Sequence, residues 1–310
     1  MNSSFNAMSE SLPAEIAAPE RLSKTRPFYW SVRRELWENR SIYLAPLSVA
    51  AVFLLGFLIT LIHFPAKMRA LSRVDPARFH AAVANHYDFA AALMMATIII
   101  VSVFYSVDAL HSERRDRSIL FWKSLPVSDL TTVLAKVSIP LVVLPLIAFA
   151  ITAALQLTML LLSSAVLLGS GLRVAPLWTQ LPLPKMWLLV FYHLFTAHAL
   201  WPAPVYCWLL LVSGWARRAV FLWAALPIVA IAGLEKVVFH TSHFLSLVAL
   251  HLIGAGPADI MAPQTVFPTD PMAHIAPGQF LSSQGLWIGL AVAAVFLAAA
   301  VRLRRYQEPV

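Results

Sequence analysis

Residues 131–166, TTVLAKVSIPLVVLPLIAFAITAALQLTMLLLSSAV, carry one charge, Lys136. About 20 apolar residues suffice for a helix to cross a bilayer core of roughly 30 Å. This run is too long for one straight crossing, so its helix must project past the bilayer or kink. Pro140 and Pro145 mark where a kink would fall. Comparable runs lie at 41–64, 87–110, 186–213, 219–234 and 284–303. Period-two alternation is absent, and a spanning segment must satisfy its own backbone groups. The fold class expected is therefore all-α: a polytopic membrane protein with six transmembrane helices.

Composition agrees. The 310 residues are 60% hydrophobic and 12% charged, against roughly 45–50% and 25% in soluble domains. The single cysteine, Cys207, permits neither a disulfide framework nor a cysteine-based metal site. The formal charge of +8 does not imply nucleic acid, because the basic residues gather at the ends of apolar runs, as in membrane proteins. Residues 1–26 lack an apolar core and read as a flexible cytosolic tail, not a cleavable leader.

Assigning the Lys and Arg residues to alternate loops puts sixteen on one side and seven on the other. The rule that positive charge stays inside then predicts an inner-membrane, multi-pass chain with both termini cytoplasmic. The first outer loop, with Lys67, Arg69, Arg73 and Arg78, runs against the trend. Residues 27–40, PFYWSVRRELWENR, form an amphipathic interfacial helix. Tyr29, Trp30, Val32, Leu36 and Trp37 share one side. Arg34, Glu35 and Glu38 share the other, and Arg33 and Arg40 fall within the apolar arc, where long side chains snorkel. Glu235 and Lys236 interrupt an apolar run and are expected at the outer end of the fifth span, since charge is costly at the bilayer centre. Residues 237–253 then read as a helix that dips in and returns, and the outer region 235–283 ends in a Gly- and Pro-rich cap. The membrane domain as a whole runs over 41–310.

Catalytic motifs are absent: no GxxxxGK[ST], HExxH, GxSxG or GxGxxG occurs. The chain is not expected to be an enzyme by itself. Polar residues inside spans more often mark function than surface ones do, which makes His193, His198 and Glu235 the candidate pathway-lining residues. His240 and His243 stand one helical turn apart with Glu235 nearby, a spacing that could share a metal. Both read equally as interfacial polar residues, and no metal site is assigned.

Between the second and third spans lies HSERRDRSILFWKSLPVSDL, residues 111–130. Charged Glu113, Arg114, Arg115, Asp116 and Arg117 run into the apolar patch Ile119–Trp122. Charge beside an exposed apolar knob fits a surface gripped by a soluble partner. Ser128 is positioned to cap the third helix, with Asp129 at its positive end.

This stretch resembles the permease subunits of ATP-binding-cassette transporters, in particular the type-2 exporters. The resemblance rests on Glu113-Arg114, Ser118-Ile119-Leu120, Ser124-Leu125-Pro126-Val127-Ser128 and Lys136. The bulky Phe121-Trp122 departs from the family's smaller residues. The resemblance implies a permease without cofactor of its own, driven by separate ATPase subunits that hold ATP and Mg. A second permease copy or a homologous permease would pair with it in the lipid bilayer. The loop becomes a coupling helix, with Glu113, Arg114, Arg115, Arg117, Ile119, Leu120, Phe121, Trp122 and Leu125 docking the ATPase. A secondary ion-coupled carrier, or a non-transporting membrane anchor or sensor for a cytosolic regulator, are the alternatives.

Overall fold

A computed structural model describes residues 25–71, 76–116, 118–124, 127–253 and 277–306. Among them every regular element is helical. Helix α1 (Thr25–Glu38) leads into α2 (Ser41–Leu71) and α3 (Pro76–Asp108). Two short helices follow, α4 (His111–Arg115) and α5 (Ser118–Ser124). Helix α6 (Asp129–Ser138) continues through a π-turn, Ile139–Val143, into α7 (Leu144–Gly169). After α8 (Ala175–Gln180), helix α9 (Leu183–Phe195) passes through a second π-turn, Thr196–Leu200, to α10 (Ala203–Trp215). The chain closes with α11 (Val220–Phe239), α12 (His243–Ile253), α13 (Pro277–Ser282) and α14 (Gln284–Tyr306).

Five helical stretches are long and apolar enough to cross a membrane, or six when the bent pair 175–200 and 203–215 counts as one. Their surfaces explain the composition. Val52 is 69% exposed, Ile62 72% and Val237 76%. Contiguous apolar surface on this scale marks contact with an apolar environment.

Four details differ from the sequence reading. The fourth span is not continuous from 186 to 213: it bends by 46° at Trp201-Pro202, between the π-turn and α10. Proline there removes a backbone donor and its ring obstructs the preceding turn. In the third span, the wide π-turn holds Pro140 and is followed at once by Pro145, so the helix continues as a local widening. The fifth helix runs on through Glu235 and Lys236 to Phe239 and stops at His240, which takes the left-handed conformation, φ 54°. Of residues 237–253, only 243–253 form a separate helix. The tail 1–24 and most of the outer cap, 254–276, lie outside the described residues.

Two packed regions hold the bundle. Away from α4, the later half of α2, the early half of α3 and the later part of α7 meet around Phe57, Leu61, Tyr87, Met94 and Met159. Gln156, fully buried, donates to the Tyr87 carbonyl (3.0 Å) and accepts from the Trp187 indole (2.9 Å). Such interhelical hydrogen bonds tie spans together where apolar contacts alone give little preference. At the other end α10 lies along α14, with Ala203, Cys207, Ala293 and Ala300 buried between or beside them. Small side chains let helix backbones approach closely.

Candidate functional site: a buried ionic clasp beneath a short exposed helix

The turn from α3 into α4 is fastened to the end of α10. The backbone N–H groups of Leu110 and His111 both donate to Ser213 Oγ at 2.9 Å. Arg114 Nη1 donates to the carbonyls of Gly214 (2.6 Å) and Ala216 (3.2 Å). A helix leaves its last carbonyls without intrahelical partners, and a cation there is also favoured by the helix dipole. Arg114 is thus buried as a cap on α10. The join is close: a Cβ at Gly214 would stand 3.3 Å from Leu110 Cδ1.

Beside it sits a cluster of buried and half-buried charge drawn from α1, α4, α6 and α14, with Tyr105 of α3. Glu113 on α4 is 4% exposed. Its carboxylate meets Arg34 of α1 at 2.7 Å, Lys136 of α6 at 3.1 Å, and Arg304 of α14 in a short contact. Lys136 also reaches Glu35 of α1 at 2.8 Å, and Arg34 reaches the same carboxylate at 2.8 Å. Tyr105 of α3 donates to Glu35 at 2.8 Å. Arg304 Nε lies 3.2 Å from Asp129 of α6. Three cations, Arg34, Lys136 and Arg304, face three carboxylates, Glu35, Glu113 and Asp129, and the exposed Glu38 lies 3.5 Å from Arg34 at the margin of the cluster. A buried charge is tolerated when paired and hydrogen-bonded in this way. Burial works to raise the Glu35 pKa, but the ammonium of Lys136 and the guanidinium of Arg34 overcome it and hold the carboxyl below its usual range.

Local sequence explains how each group arrives. On α1 the polar side carries Arg34 and Glu35, and it faces the bundle. The aromatic side points outward, with Tyr29, Trp30 and Trp37 exposed. The side that meets protein is mixed: Glu35 enters the cluster, Val32 and Leu36 of the apolar side pack against the core beside it, and Glu38 stays exposed. Ser128 caps α6 by accepting from the Thr131 N–H at 3.1 Å, which starts the helix so that Asp129 and Lys136, about two turns apart, both reach the cluster.

The nine expected docking residues thus separate. Glu113 and Arg114 turn inward and are spent on the clasp and on α10. Arg115 and Asp116 stay exposed and pair with one another at 3.2 Å. On α5, Leu120 is 58% and Phe121 60% exposed. Ser118 Oγ donates to the Glu113 carbonyl at 3.3 Å, joining α5 to α4. The expected single coupling helix is two short helices, one rooted and one presented. Arg117 and Leu125, and the side chains of Ile119 and Trp122, lie outside what the structure describes.

Of the expected pathway residues, His193 and His198 stand close enough to interact electrostatically, whereas Glu235 takes a local role. His193 Nδ1 contacts the Leu189 carbonyl of its own helix at 3.0 Å, and the His198 carbonyl accepts from Tyr206 at 3.1 Å. Glu235 instead caps α12, accepting from Thr241 Oγ1 (2.7 Å) and from the N–H groups of His243 (2.7 Å) and Phe244 (2.8 Å). Among the described residues no group of three or more His, Cys, Asp or Glu side chains could hold a metal ion, His240 and His243 included.

Sequence reasoning missed the clasp as a unit. Its signal was available in part: Lys136 is an isolated cation in an apolar helix, and such a charge needs a partner. No family model, curated protein or solved structure matches this chain.

Proposed function

We propose that this chain is the membrane-embedded permease subunit of an ATP-driven transporter, an exporter of amphipathic or lipid-like cargo. Separate ATPase subunits would supply ATP and Mg. The single observation that carries the reading is that Glu113 and Lys136, the charged residues at the two ends of the motif, are 3.1 Å apart. Their pairing closes the 111–128 loop at its base, and α5 with Leu120 and Phe121 stands outside it. A loop that only connected two helices would need neither a buried root nor an apolar tip.

The proposal has six crossings with both termini cytoplasmic, and the geometry at the clasp supports it. Helices α3, α10 and α14 end at the clasp, and α6 begins there. That parity is met when α9 and α10 together cross once. Arg33, Arg40, Arg115, Arg217, Arg218, Arg302 and Arg305 lie within a few residues of the helix ends that meet at the clasp, and the positive-inside rule supports reading that end as cytoplasmic.

Mechanically, a partner that grips α5 would pull on α4. Because α4 is fixed to α10 through Arg114 and to α1, α6 and α14 through Glu113, the pull reaches four helices at once. ATP-driven closure of the partner could then reorient the bundle between inward- and outward-open arrangements. The test is co-purification with an ATPase encoded beside this chain. Phe121→Asp should abolish association while leaving the thermal midpoint unchanged. Undiminished co-purification and ATPase stimulation would refute the docking role.

A further inference from the structure

The outward side of α1 carries a feature that its anchoring role does not require. At about 3.6 residues per turn, Arg26, Trp30, Arg33 and Trp37 fall in one narrow stripe, with Glu35 on the opposite side of the helix. The Arg33 guanidinium lies over both indoles, 5.0 Å from the Trp30 ring and 5.0 Å from the Trp37 ring. Both tryptophans are more than half exposed, and Phe28 and Tyr29 are exposed beside them. Among the described residues, no carboxylate pairs with Arg26, Arg33 or Arg40. The acids of α1 are used elsewhere, Glu35 in the clasp and Glu38 beside Arg34 at 3.5 Å.

We infer that this stripe is a binding site for the headgroup of an anionic phospholipid, with Arg33 as its centre. A guanidinium stacked on an aromatic face keeps its N–H edge free, and that edge matches phosphate geometry in a bidentate manner. The two indoles fix the Arg33 plane before any ligand arrives, so less freedom is lost on binding. Tryptophan settles at headgroup depth, and α1 leads directly into α2, the first long apolar helix. The arginine edge therefore lies in the layer where lipid phosphates are found. A stripe that holds Arg26 and Arg33 and no acid favours an anionic headgroup over a zwitterionic one. The site is also mechanically connected. Its helix carries Arg34 and Glu35 into the clasp that roots α4, so a lipid held at Arg33 steadies the base of the exposed loop. This inference rests on the membrane part of the proposed function and not on the partner ATPase.

The test uses the full chain in nanodiscs of mixed phosphatidylcholine and phosphatidylglycerol, with retained lipid counted by native mass spectrometry after release. The wild-type chain should retain phosphatidylglycerol in preference. Arg33→Gln should reduce that preference about fivefold, the factor one basic residue contributes near an anionic surface. Arg33→Lys, which keeps the charge but loses the planar stack, should recover only part of it. Arg305→Gln removes a charge from an exposed position on α14 and should leave it intact. Equal loss in Arg305→Gln would reduce the effect to bulk charge and overturn the site. So would retention by Arg33→Gln equal to wild type, or displacement of the lipid by inorganic phosphate. A chain that failed to enter phosphatidylcholine discs would overturn the membrane reading, and this inference with it.

Discussion

Replacing Glu113 with Gln separates a buried root from an exposed docking residue. The substitution keeps shape and removes one negative charge from the buried part of the cluster, leaving Arg34, Lys136 and Arg304 against Glu35 and Asp129, with the exposed Glu38 beside Arg34 at the margin. Removing one member of a buried pair costs about 3–5 kcal/mol, because a charge is left uncompensated. Here the geometry favours the lower end of that range. Each stranded cation retains a second carboxylate: Lys136 and Arg34 keep Glu35 at 2.8 Å, and Arg304 keeps Asp129 at 3.2 Å. A loss of about 3 kcal/mol is therefore expected. It can be measured by titrating the detergent-solubilised chain with sodium dodecyl sulfate and following tryptophan fluorescence. Combining Glu113→Gln with Lys136→Met removes the facing cation along with the carboxylate, so the double variant should lose less than the two singles together, with a coupling of about 1–3 kcal/mol. An exposed docking residue behaves differently, since surface substitutions usually change stability by less than about 0.5 kcal/mol. A Glu113→Gln midpoint equal to wild type, with no coupling to Lys136, would refute the clasp.

Arg114→Ala should destabilise the chain by about 1.5–3 kcal/mol, the range for hydrogen bonds made by charged groups, and proteolysis should detect loosening at 214–218. Glu35 sets a pH dependence. Its folded pKa lies below the unfolded value of about 4.3, so its contribution is complete above that value and is lost as pH falls through the lower folded one. Melting temperatures measured from neutral pH downward should hold until below the ordinary carboxylate range, and Glu35→Gln should flatten that final fall. At Gly289 a Cβ would stand 3.1 Å from His251 Nε2, and the His251 ring stacks on Trp201 with centroids 5.3 Å apart. Gly289→Val should therefore cost about 1–3 kcal/mol by overpacking and displace α12, read as a change in Trp201 emission against a Trp201→Phe control.

The chain's own order of residues determined that it is helical and apolar enough to span a membrane. Hydropathy is a local property, and a backbone cut off from water has few ways to satisfy itself. It also determined the start of α6, because a Ser128 cap and an Asp129 first turn act within a few residues. The register of α1 was legible too, in that Glu35 opposes Trp30 and Trp37 while Arg34 borders them. Which of those faces meets protein was not, since both a solvated and a buried salt-bridged face look polar in one dimension.

Tertiary structure alone decided what Glu113 and Arg114 do. Their neighbours in sequence are other charges, and a dense charged run reads as surface. Their partners are Arg304, 191 positions away, Arg34, 79 positions away, and the end of α10, about 100 positions away. The same holds for Glu235, whose capping of α12 depends on the turn at His240. Pairing between charges depends on distance in space, and burial makes that distance matter, so no window along the chain could have shown that five helices share one ionic cluster.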